Sequence, residues 1–517
     1  MRGAGSFLGQ GGLPAPSRLS VLRHPLLALL AGVLQTGAFA PSPAWWLQPL
    51  ALAALFWAAL GSRPRRAALL GGLFGVGWLA SGLWWLYISM HDFGHLPAAV
   101  SALAVLLLAA FLSLYYALAL GLAARLSGPA WTRALGAAAL WLAAELGRAT
   151  LFTGFPWIAS GYAHTQGPLA VFAPWIGVYG IAALSAALAA SLALGAWRQL
   201  GVLLLGIGAL GPLLPRDFTQ PAGSLAVSLV QPNIPQDQKF DKDRFDDNLN
   251  RLSALVESAR GQVVITPESV LPLPLAWLEP TSVARLQQAA QQRPLLLGTF
   301  LGNEQQGFVN SLVALGVAQP YDYGKRHLLP FGEFIPPGFH WFVRAMRIPM
   351  DDQAHGTHQR ALVLGGQRLR PLICYEDLFG EDVVASALDQ GEASATVFVN
   401  ASNLAWFGPR MVQDQHLQFS QMRALEFQRP IVRATNTGAT ALVDHQGQVR
   451  ARLPAEQAGV LEVTVEGRRG ETPYARWLAA AGLWPLWLVA VLGVGLGLAG
   501  GRMPSRGQSG MRARRSA

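Results

Sequence analysis

Long apolar stretches separated by short polar breaks occupy most of the first 215 residues of this chain. A helix of about 20 apolar residues crosses the hydrocarbon core of a bilayer. One further apolar stretch follows near the C-terminus, after a long region of mixed polarity. The pattern therefore predicts about eight transmembrane helices, at residues 25–40, 44–60, 67–90, 98–124, 129–148, 168–197, 199–215 and 477–499.

A different pattern begins after residue 216, where short apolar strands alternate with amphipathic helices. This alternation is typical of an α/β domain whose sheets are covered by helices. The predicted strands are 225–231, 263–269, 294–300, 310–316, 370–376, 395–402, 431–437 and 440–453. The predicted helices are 243–260, 281–292, 380–390 and 412–428, and residues 320–360 are predicted to form a loop.

The composition is that of a membrane protein. Hydrophobic residues make up 52% of the chain and charged residues only 13%. Soluble domains carry about a quarter charged residues. The formal net charge is +10, yet residues 216–475 contain 23 basic and 27 acidic residues. The positive excess therefore belongs to the apolar part and the C-terminal tail, and we expect no nucleic-acid partner.

The arginines of the short loops predict how the chain is oriented. One side of the membrane part receives Arg63, Arg65, Arg66, Arg125, Arg133 and Arg198. The loops 41–43, 91–97 and 149–167 on the other side contain no Lys or Arg. Basic loops stay in the cytoplasm. We therefore predict a cytoplasmic N-terminus (1–24), a seven-helix membrane domain (25–215), an extracytoplasmic domain (216–475), a final transmembrane helix (476–499) and a basic cytoplasmic tail (500–517).

Two ionisable residues, Glu145 and Arg148, lie three positions apart at the end of the fifth predicted span. That spacing places both side chains on one helix face. An ionisable pair at membrane depth is a candidate functional site. A neutralised pair near the membrane interface explains the same pattern equally well.

Three residues of the α/β region lie at or near predicted strand ends: Glu268, Lys325 and Cys374. Catalytic groups of α/β proteins collect at the carboxyl ends of strands. Cys374 is the single cysteine, and Lys325 is one of three lysines among 39 basic residues. A thiolate can act as a nucleophile, a carboxylate can take and return its proton, and an ammonium can stabilise an oxyanion. Taken alone, each residue has an ordinary explanation. Cys374 could be a buried apolar residue, Lys325 a solvated loop charge and Glu268 a turn residue or helix cap.

The segments around these residues resemble one enzyme family. Residues 225–453 resemble the nitrilase (carbon–nitrogen hydrolase) superfamily, and the whole chain resembles its membrane branch, the apolipoprotein N-acyltransferases. The resemblance rests on the motifs LFTGFPW (151–157), VQPNIPQ (230–236), VITPES (264–269), KRHLLPFGEF (325–334), ICYE (373–376), SNLAWFG (402–408) and TNTGAT (435–440).

The resemblance implies an extracytoplasmic nitrilase-like αββα sandwich joined to the membrane domain. It implies Cys374 as nucleophile, Glu268 as general base and Lys325 as the residue that stabilises the oxyanion. By the same resemblance, the supporting or substrate-binding residues are Glu333, Tyr375, Glu376, Trp406 and Phe240. Thr266 and Phe240 stand where the family usually has Trp, which leaves the shape of the acyl pocket open.

The resemblance also implies an activity, the last step of bacterial lipoprotein maturation. A fatty acyl chain would pass from a phospholipid, with phosphatidylethanolamine as the expected donor, to Cys374 as a thioester. It would then pass to the α-amino group of a diacylglyceryl-cysteine apolipoprotein, in a ping-pong reaction. We accordingly expect a monomeric multi-pass protein of the inner membrane, with a periplasmic catalytic domain and without cofactor or metal.

Two apolar, aromatic segments follow the candidate carboxylates, at 272–280 and 335–350. Exposed apolar surface marks membrane or partner contact, so these segments are candidate lipid-gating arms, although packing on the core explains them as well. Three other functions fit the residues. They are a membrane-tethered amidase or nitrilase that uses water as acceptor, a non-catalytic transporter or sensor, and acyl transfer to a sugar or polyprenol.

Overall fold

The computed structural model describes residues 18–42, 44–345, 352–409 and 411–501. Parts of three predicted segments lie outside the described residues: the start of the N-terminal segment, the end of the apolar segment 335–350, and nearly all of the basic tail. Helices dominate the part before residue 216: α1 (Arg18–Thr36), α2 (Leu47–Ala59), α3 (Pro64–Gly82), α4 (Leu86–Ile88), α5 (Ala98–Ala123), α6 (Ala130–Thr150), α7 (Ala173–Ala193) and α8 (Trp197–Leu213).

Several of these helices have the length and composition of membrane spans. Among the described residues, three continuous helical stretches are long and apolar enough to cross a membrane: Ala98–Ala123, Ala130–Thr153 and Pro168–Ala193. Two bent helix pairs would raise the number to five. Three further apolar helices are shorter, namely Pro25–Thr36, Leu47–Ala59 and Trp197–Leu213. The full count of eight spans therefore stays a prediction.

The predicted spans 67–90 and 477–499 are not single straight helices. The first consists of Pro64–Gly82 and Leu86–Phe93, which meet at 63°. The second consists of Pro473–Ala481 and Trp484–Gly500, which meet at 88°. At this second bend Gly482 adopts a φ of 56°, and the next helix has a proline in its first turn. A left-handed glycine ends a helix and an early proline begins one, so hydropathy alone could not reveal the break.

Small residues bring the membrane helices into close contact. A Cβ atom added to Gly32 of α1 would lie 2.0 Å from the Phe74 carbonyl oxygen of α3. One added to Gly77 of α3 would lie 2.2 Å from the Leu29 carbonyl oxygen of α1. Because hydrophobic burial does not drive helix association in lipid, close backbone approach through small residues provides the packing energy.

Helix α5, by contrast, exposes large apolar side chains. Leu107, Leu114 and Leu118 are 60%, 61% and 65% exposed and lie seven and four positions apart, on one side of the helix. A stripe of large exposed leucines is costly in water. It fits a helix whose outer side faces lipid.

The region after residue 216 folds into two six-stranded sheets. The strands are β1 (Thr219–Gln231), β2 (Val263–Ile265), β3 (Leu295–Asn303), β4 (Gly307–Leu315), β5 (Tyr321–Gly324), β6 (Leu362–Leu364), β7 (Gln367–Ile373), β8 (Val397–Ser402), β9 (Ile431–Thr435), β10 (Ala441–Val443), β11 (Val449–Arg452) and β12 (Gly459–Gly470). The first sheet has the order β12-β1-β2-β3-β4-β5 and the second the order β11-β10-β9-β8-β7-β6. Both sheets are mixed, with parallel pairs at their centres.

Helices cover the outer faces of both sheets. The remaining helices are α9 (Gln236–Lys239), α10 (Phe245–Ser258), α11 (Pro280–Gln292), α12 (His340–Ala345), α13 (Gly380–Ala387), α14 (Met411–Phe427), α15 (Pro473–Ala481) and α16 (Trp484–Gly500). Val227 and Ile265 of the first sheet share a core with Val399 and Ala434 of the second. α10 and α11 pack on the first sheet, and α13 and α14 on the second. The predicted αββα sandwich is therefore confirmed.

Several predicted strand limits were wrong. The strands end at Ile265 and Ile373, so Glu268 and Cys374 lie in the turns that follow. The predicted strand 440–453 is the hairpin β10–β11. The predicted loop 320–360 contains β5, and the analysis of apolar runs missed β6 and β12. β12 alternates between exposed and partly buried positions, and such an edge strand has no continuous apolar run to reveal it.

The sandwich rests on the membrane helices through α14, which is buried over almost its whole length. Gln415 of α14 accepts hydrogen bonds from the indole nitrogens of Trp157 (2.8 Å) and Trp85 (3.2 Å). Glu426 of α14 accepts one from the backbone N–H of Val178 in α7 (2.7 Å). α13, α14 and the membrane helices share one hydrophobic core, so the two parts of the chain support each other.

Candidate active site

The ends of three strands bring Glu268, Lys325 and Cys374 to one place. Glu268 follows β2, Lys325 follows β5, and Cys374 follows β7. Glu268 is 6% exposed and Lys325 only 1%. Cys374 as a residue is partly exposed, whereas its two charged partners are buried.

A hydrogen-bonded cluster holds the charged groups. The Lys325 ammonium donates to Glu333 Oε1 (2.7 Å) and to Glu268 Oε1 (3.2 Å). Asn310 Nδ2 donates to the same two oxygens, at 3.2 Å and 2.7 Å. The second oxygen of Glu268 accepts the backbone N–H of Asn403 (2.9 Å). Buried charges are tolerated when they are paired and their remaining hydrogen-bonding positions are filled.

The backbone of Cys374 is held in an unusual conformation. Its φ is 50°, and it opens a short 3-10 turn, Cys374–Leu378. The Cys374 carbonyl accepts hydrogen bonds from Asn400 Nδ2 (3.3 Å) and His416 Nε2 (3.1 Å). Non-glycine residues in the left-handed region persist only where the surroundings over-determine them. Contacts with Asn400 and His416 therefore hold the backbone of this turn, which we call the cysteine turn, in place.

His416 donates one of the two hydrogen bonds to the Cys374 carbonyl, and its own surroundings fix its protonation state. Its Nδ1 lies 2.6 Å from a guanidinium nitrogen of Arg433 and accepts that hydrogen bond. Burial, together with the neighbouring Arg433, lowers the pKa of His416 well below its usual value. The ring is therefore neutral and carries its proton on Nε2, which faces the Cys374 carbonyl.

The electrostatics of the site keep the thiol protonated at rest. Burial raises the pKa of Cys374 well above its usual value, and the nearby Glu268 raises it further, whereas Lys325 opposes the rise. Burial disfavours the charged form of Lys325, but the carboxylates Glu268 and Glu333 outweigh it and raise its pKa. A cationic Lys325 beside a neutral thiol means that a base must remove the thiol proton during the reaction.

Glu333 is a buried second carboxylate. Burial raises its pKa, and Lys325 opposes that rise. The backbone N–H of Leu329 donates to its Oε2 (2.8 Å). Glu333 therefore pairs with Lys325 more closely than Glu268 does, which leaves Glu268 the better placed of the two to exchange a proton.

The two residues after Cys374 brace the cysteine turn. The Tyr375 hydroxyl donates to the carbonyl of Gly154 in the membrane part (3.1 Å). Glu376 accepts from the Tyr323 hydroxyl (2.8 and 2.9 Å), from Arg326 N–H (2.8 Å) and from Ile373 N–H (2.7 Å). Glu376 is 3% exposed. It ties the segment after Lys325 to the base of the cysteine turn.

Trp406 and Phe240 lie together beside the membrane part. Their ring centroids are 6.2 Å apart, and the Trp406 ring lies 5.8 Å from that of Phe93. Phe240 is 55% exposed. The pair therefore forms part of an aromatic surface at the level of the membrane loops.

The two candidate arms also expose aromatic side chains. Trp277 in the first is 53% exposed and Phe339 in the second 47%. Trp277 packs edge-to-face on Phe308 (5.2 Å) and Phe339 on Phe331 (5.2 Å). Each arm thus contacts a neighbouring aromatic ring and also exposes apolar surface.

The membrane pair Glu145 and Arg148 braces a loop beneath the cysteine turn. Both residues are 1% exposed, and Arg148 Nη2 lies 3.1 Å from Glu145 Oε2. Arg148 also donates to the carbonyls of Phe155 (3.0 Å) and Trp157 (2.9 Å). The Gly154 carbonyl in this loop receives the Tyr375 hydroxyl. These contacts favour the interpretation of Glu145 and Arg148 as a neutralised pair with a structural role.

Sequence reasoning missed four residues of the site: Lys239, Asn310, Asn403 and His416. Asn310, Asn403 and His416 act through contacts between distant segments, which no local pattern reveals. Lys239 carried a signal, because it is one of three lysines in an arginine-rich chain.

Fold and site together define a carbon–nitrogen hydrolase, and comparison with known proteins agrees. The family model described as carbon–nitrogen hydrolase matches residues 226–474. The model described as apolipoprotein N-acyltransferase N-terminal domain matches residues 31–191.

Curated relatives match along most of the chain. An apolipoprotein N-acyltransferase of Ralstonia nicotianae is 47% identical over 473 residues, which cover 87% of this chain and 89% of the relative. Those of Verminephrobacter eiseniae and Bordetella bronchiseptica are 45% and 39% identical, and each match covers 88% of this chain and 92% and 93% of the relative. The chain belongs to the apolipoprotein N-acyltransferase family.

Proposed function

We propose that this protein transfers a fatty acyl chain from a phospholipid to the N-terminal α-amino group of a diacylglyceryl-cysteine apolipoprotein. Cys374 is the nucleophile, Glu268 the general base and Lys325 the oxyanion stabiliser. The observation that carries the proposal is a partly exposed Cys374 beside a buried, hydrogen-bonded Lys325 with two carboxylates. The names of the relatives supply the reaction class.

The first half-reaction forms a thioester. Glu268 takes the thiol proton while Sγ of Cys374 attacks the ester carbonyl of the phospholipid, and Lys325 faces the oxygen that becomes negative. Electrostatic stabilisation of this kind contributes about 3–4 kcal/mol per donor. When the intermediate collapses, the ester C–O bond breaks and Glu268 returns the proton to the departing alkoxide. Lysophospholipid leaves, and the acyl chain stays on Cys374.

The second half-reaction consumes the thioester. The α-amino group of the acceptor attacks the acyl carbon, Glu268 takes a proton from the attacking nitrogen, and the C–S bond breaks. The proton then returns to the Cys374 sulfur. Splitting the transfer in two lets the donor leave before the acceptor arrives, and Glu268 serves as base and acid in both halves.

The proposal includes the surroundings of the site. Phosphatidylethanolamine is the proposed donor, and the protein is proposed to be a monomer in the bacterial inner membrane. Residues 25–215 and 476–499 form the membrane part, residues 216–475 form the periplasmic catalytic domain, and both termini are cytoplasmic. Support comes from the uneven distribution of Arg among the loops and from the exposed Phe240, Trp277 and Phe339 around the site. These aromatic side chains and Trp406 are proposed to contact lipid.

Product analysis tests this function. Purified full-length protein is incubated with phosphatidylethanolamine that carries a labelled acyl chain and with a diacylated lipopeptide. The expected result is triacylated lipopeptide and lysophospholipid in equal amounts, with no transfer to the same lipopeptide acetylated at its α-amino group. Hydrolysis of small amides without lipid, or equal transfer to the acetylated peptide, would instead favour an amidase or another acceptor.

A further inference from the structure

A second buried lysine, Lys239, lies beside the site. It ends the short helix α9 and is 3% exposed. Its ammonium donates to the Ser269 hydroxyl (2.8 Å), which is its one hydrogen-bond partner within the described residues. Ser269 directly follows Glu268 and has a φ of 42°. Lys239 therefore contacts the segment that carries the candidate base.

The cavity that adjoins Lys239 is too small for a substrate group. It measures about 10 Å³ and is lined by Asn248 and by apolar side chains, among them Ile234, Leu249, Leu252 and Leu271. Such a volume holds at most about one water molecule. This cavity therefore has no room for a headgroup, whereas the charge of Lys239 can act on its surroundings.

The charged groups around Cys374 balance only when Lys239 is counted. These groups are Glu268, Lys325, Glu333, Asp377, Arg433 and Lys239. Lys325 contacts both Glu333 (2.7 Å) and Glu268 (3.2 Å), and Arg433 lies 3.2 Å from Asp377. Lys325 and Arg433 thus serve three carboxylates, and Lys239 is the third cation.

The pKa of Lys239 is consistent with a negative charge nearby. Burial lowers it to about 8, while Glu268 and Cys374 act in the opposite direction. The ammonium is therefore still mostly charged at neutral pH. An isolated buried ammonium is costly, so a nearby negative charge offsets its burial.

We propose that Lys239 is a positioning residue that balances the one negative charge that moves during the reaction, from Glu268 to the Cys374 thiolate. This inference rests on the proposed function, because the same charge then passes to the oxyanion of the acyl-transfer intermediate. Lys325 is shared between Glu333 and Glu268. Lys239 therefore adds a second cation on the side of the site that carries the moving charge.

The test measures thiolate formation at Cys374 in the full-length protein in detergent. Cys374 is the single cysteine, so the rate of its alkylation by iodoacetamide across a pH series reports on this thiol alone. At neutral pH, where Lys239 is charged, we expect Lys239→Met to be alkylated about tenfold more slowly than the wild type, since one opposite charge has been removed. The difference should shrink as the pH rises above the pKa of Lys239, which is about 8. Lys239→Arg, which keeps the charge, should restore most of the rate.

Two controls separate this role from a merely structural one. Lys242→Met removes an exposed lysine three residues away and should leave the alkylation rate unchanged. The thermal midpoint of Lys239→Met should fall, because Glu268 loses a compensating charge, so the rates are compared at a temperature at which both proteins are folded. An unchanged alkylation rate of Lys239→Met at neutral pH would overturn the inference, whether or not the thermal midpoint falls. Alkylation requires no lipid, so acyl transfer measured on the same variants separates failure of this inference from failure of the proposed function.

Discussion

Lys325 organises the residues of the site because, within the described residues, it is the cation that contacts both carboxylates. Its ammonium lies 2.7 Å from Glu333 and 3.2 Å from Glu268, and Asn310 spans the same two oxygens. Two buried carboxylates that share one ammonium would repel each other without that cation. Lys325 therefore stabilises the resting site and, in the proposed mechanism, the oxyanion.

Replacing Lys325 with Met should separate these two effects by their pH dependence. Glu268 and Glu333 would lose their shared cation, and we expect a loss of about 3–5 kcal/mol at neutral pH. The folded variant then binds protons more tightly than the unfolded chain, so the loss should shrink as the pH falls. Thermal midpoints across a pH series measure this effect, with Lys242→Met as the exposed control. A loss that is constant with pH would contradict the pairing.

Lys325→Arg tests the shape of the cation. The guanidinium keeps the positive charge but presents a planar fork in place of a compact ammonium. We expect the thermal midpoint to stay closer to that of the wild type than in Lys325→Met, while acyl-enzyme formation falls by about 100-fold or more. Single-turnover loading with labelled phospholipid measures the rate. Loading at the wild-type rate would mean that any cation suffices.

Among the elements of the fold, the cysteine turn decides where the thiol points. Its left-handed first residue is held by Asn400 and His416 at the carbonyl and by Glu376 at the preceding N–H. Asn400 and His416 come from other segments, whereas Glu376 belongs to the turn itself, so both tertiary and local contacts set the turn. Glu376 also binds the segment after Lys325.

Glu376→Gln should loosen the cysteine turn. The carboxylate accepts from Tyr323, Arg326 and Ile373, whereas an amide would turn its NH₂ group towards some of these donors. Hydrogen bonds to charged groups contribute about 1.5–3 kcal/mol each. We therefore expect a lower thermal midpoint and Cys374 acylation about 10- to 100-fold slower. Glu304→Gln, at an exposed loop position, is the matched control. If both variants behave like the wild type, the bracing role is wrong.

At the scale of the whole molecule, the membrane part and the sandwich form one structure around the site. Arg148 holds the loop 151–157, Gly154 of that loop receives Tyr375, and α14 packs on α7. The membrane helices thus support the cysteine turn from below. Both lipid substrates of the proposed reaction reside in the bilayer, and this arrangement keeps the thiol near the level of the membrane loops.

The proposed orientation makes a labelling prediction. In a Cys374→Ser background, a cysteine at exposed Gln306 tests the sandwich and one at exposed Arg63 tests a basic loop. In intact spheroplasts, a membrane-impermeant maleimide should label Gln306→Cys at once and Arg63→Cys only after permeabilisation, because basic loops stay in the cytoplasm. The reverse pattern would place the site on the cytoplasmic side.

Much of this organisation could be predicted from the sequence, for identifiable reasons. Apolar runs predicted the apolar helices before residue 216, of which several are long enough to cross a membrane, and the strand pattern predicted the αββα layers. Strand β12 has no continuous apolar run, so the search for apolar runs missed it. The bends near Gly82 and Gly482 depend on local backbone geometry, which hydropathy does not encode. The contacts of Asn310, Asn403 and His416 join segments far apart in the chain, so only the folded structure reveals them.

The most direct test of the central claim is the intact mass of the protein after it meets its donor. Purified wild type and Cys374→Ala are incubated with phosphatidylethanolamine carrying a labelled acyl chain, and the site of any adduct is mapped by peptide mass spectrometry. We predict that the wild type gains one acyl chain on Cys374, which disappears when a diacylated lipopeptide is added, and that Cys374→Ala gains none. Acyl transfer by Cys374→Ala, or an adduct at another residue, would contradict the mechanism.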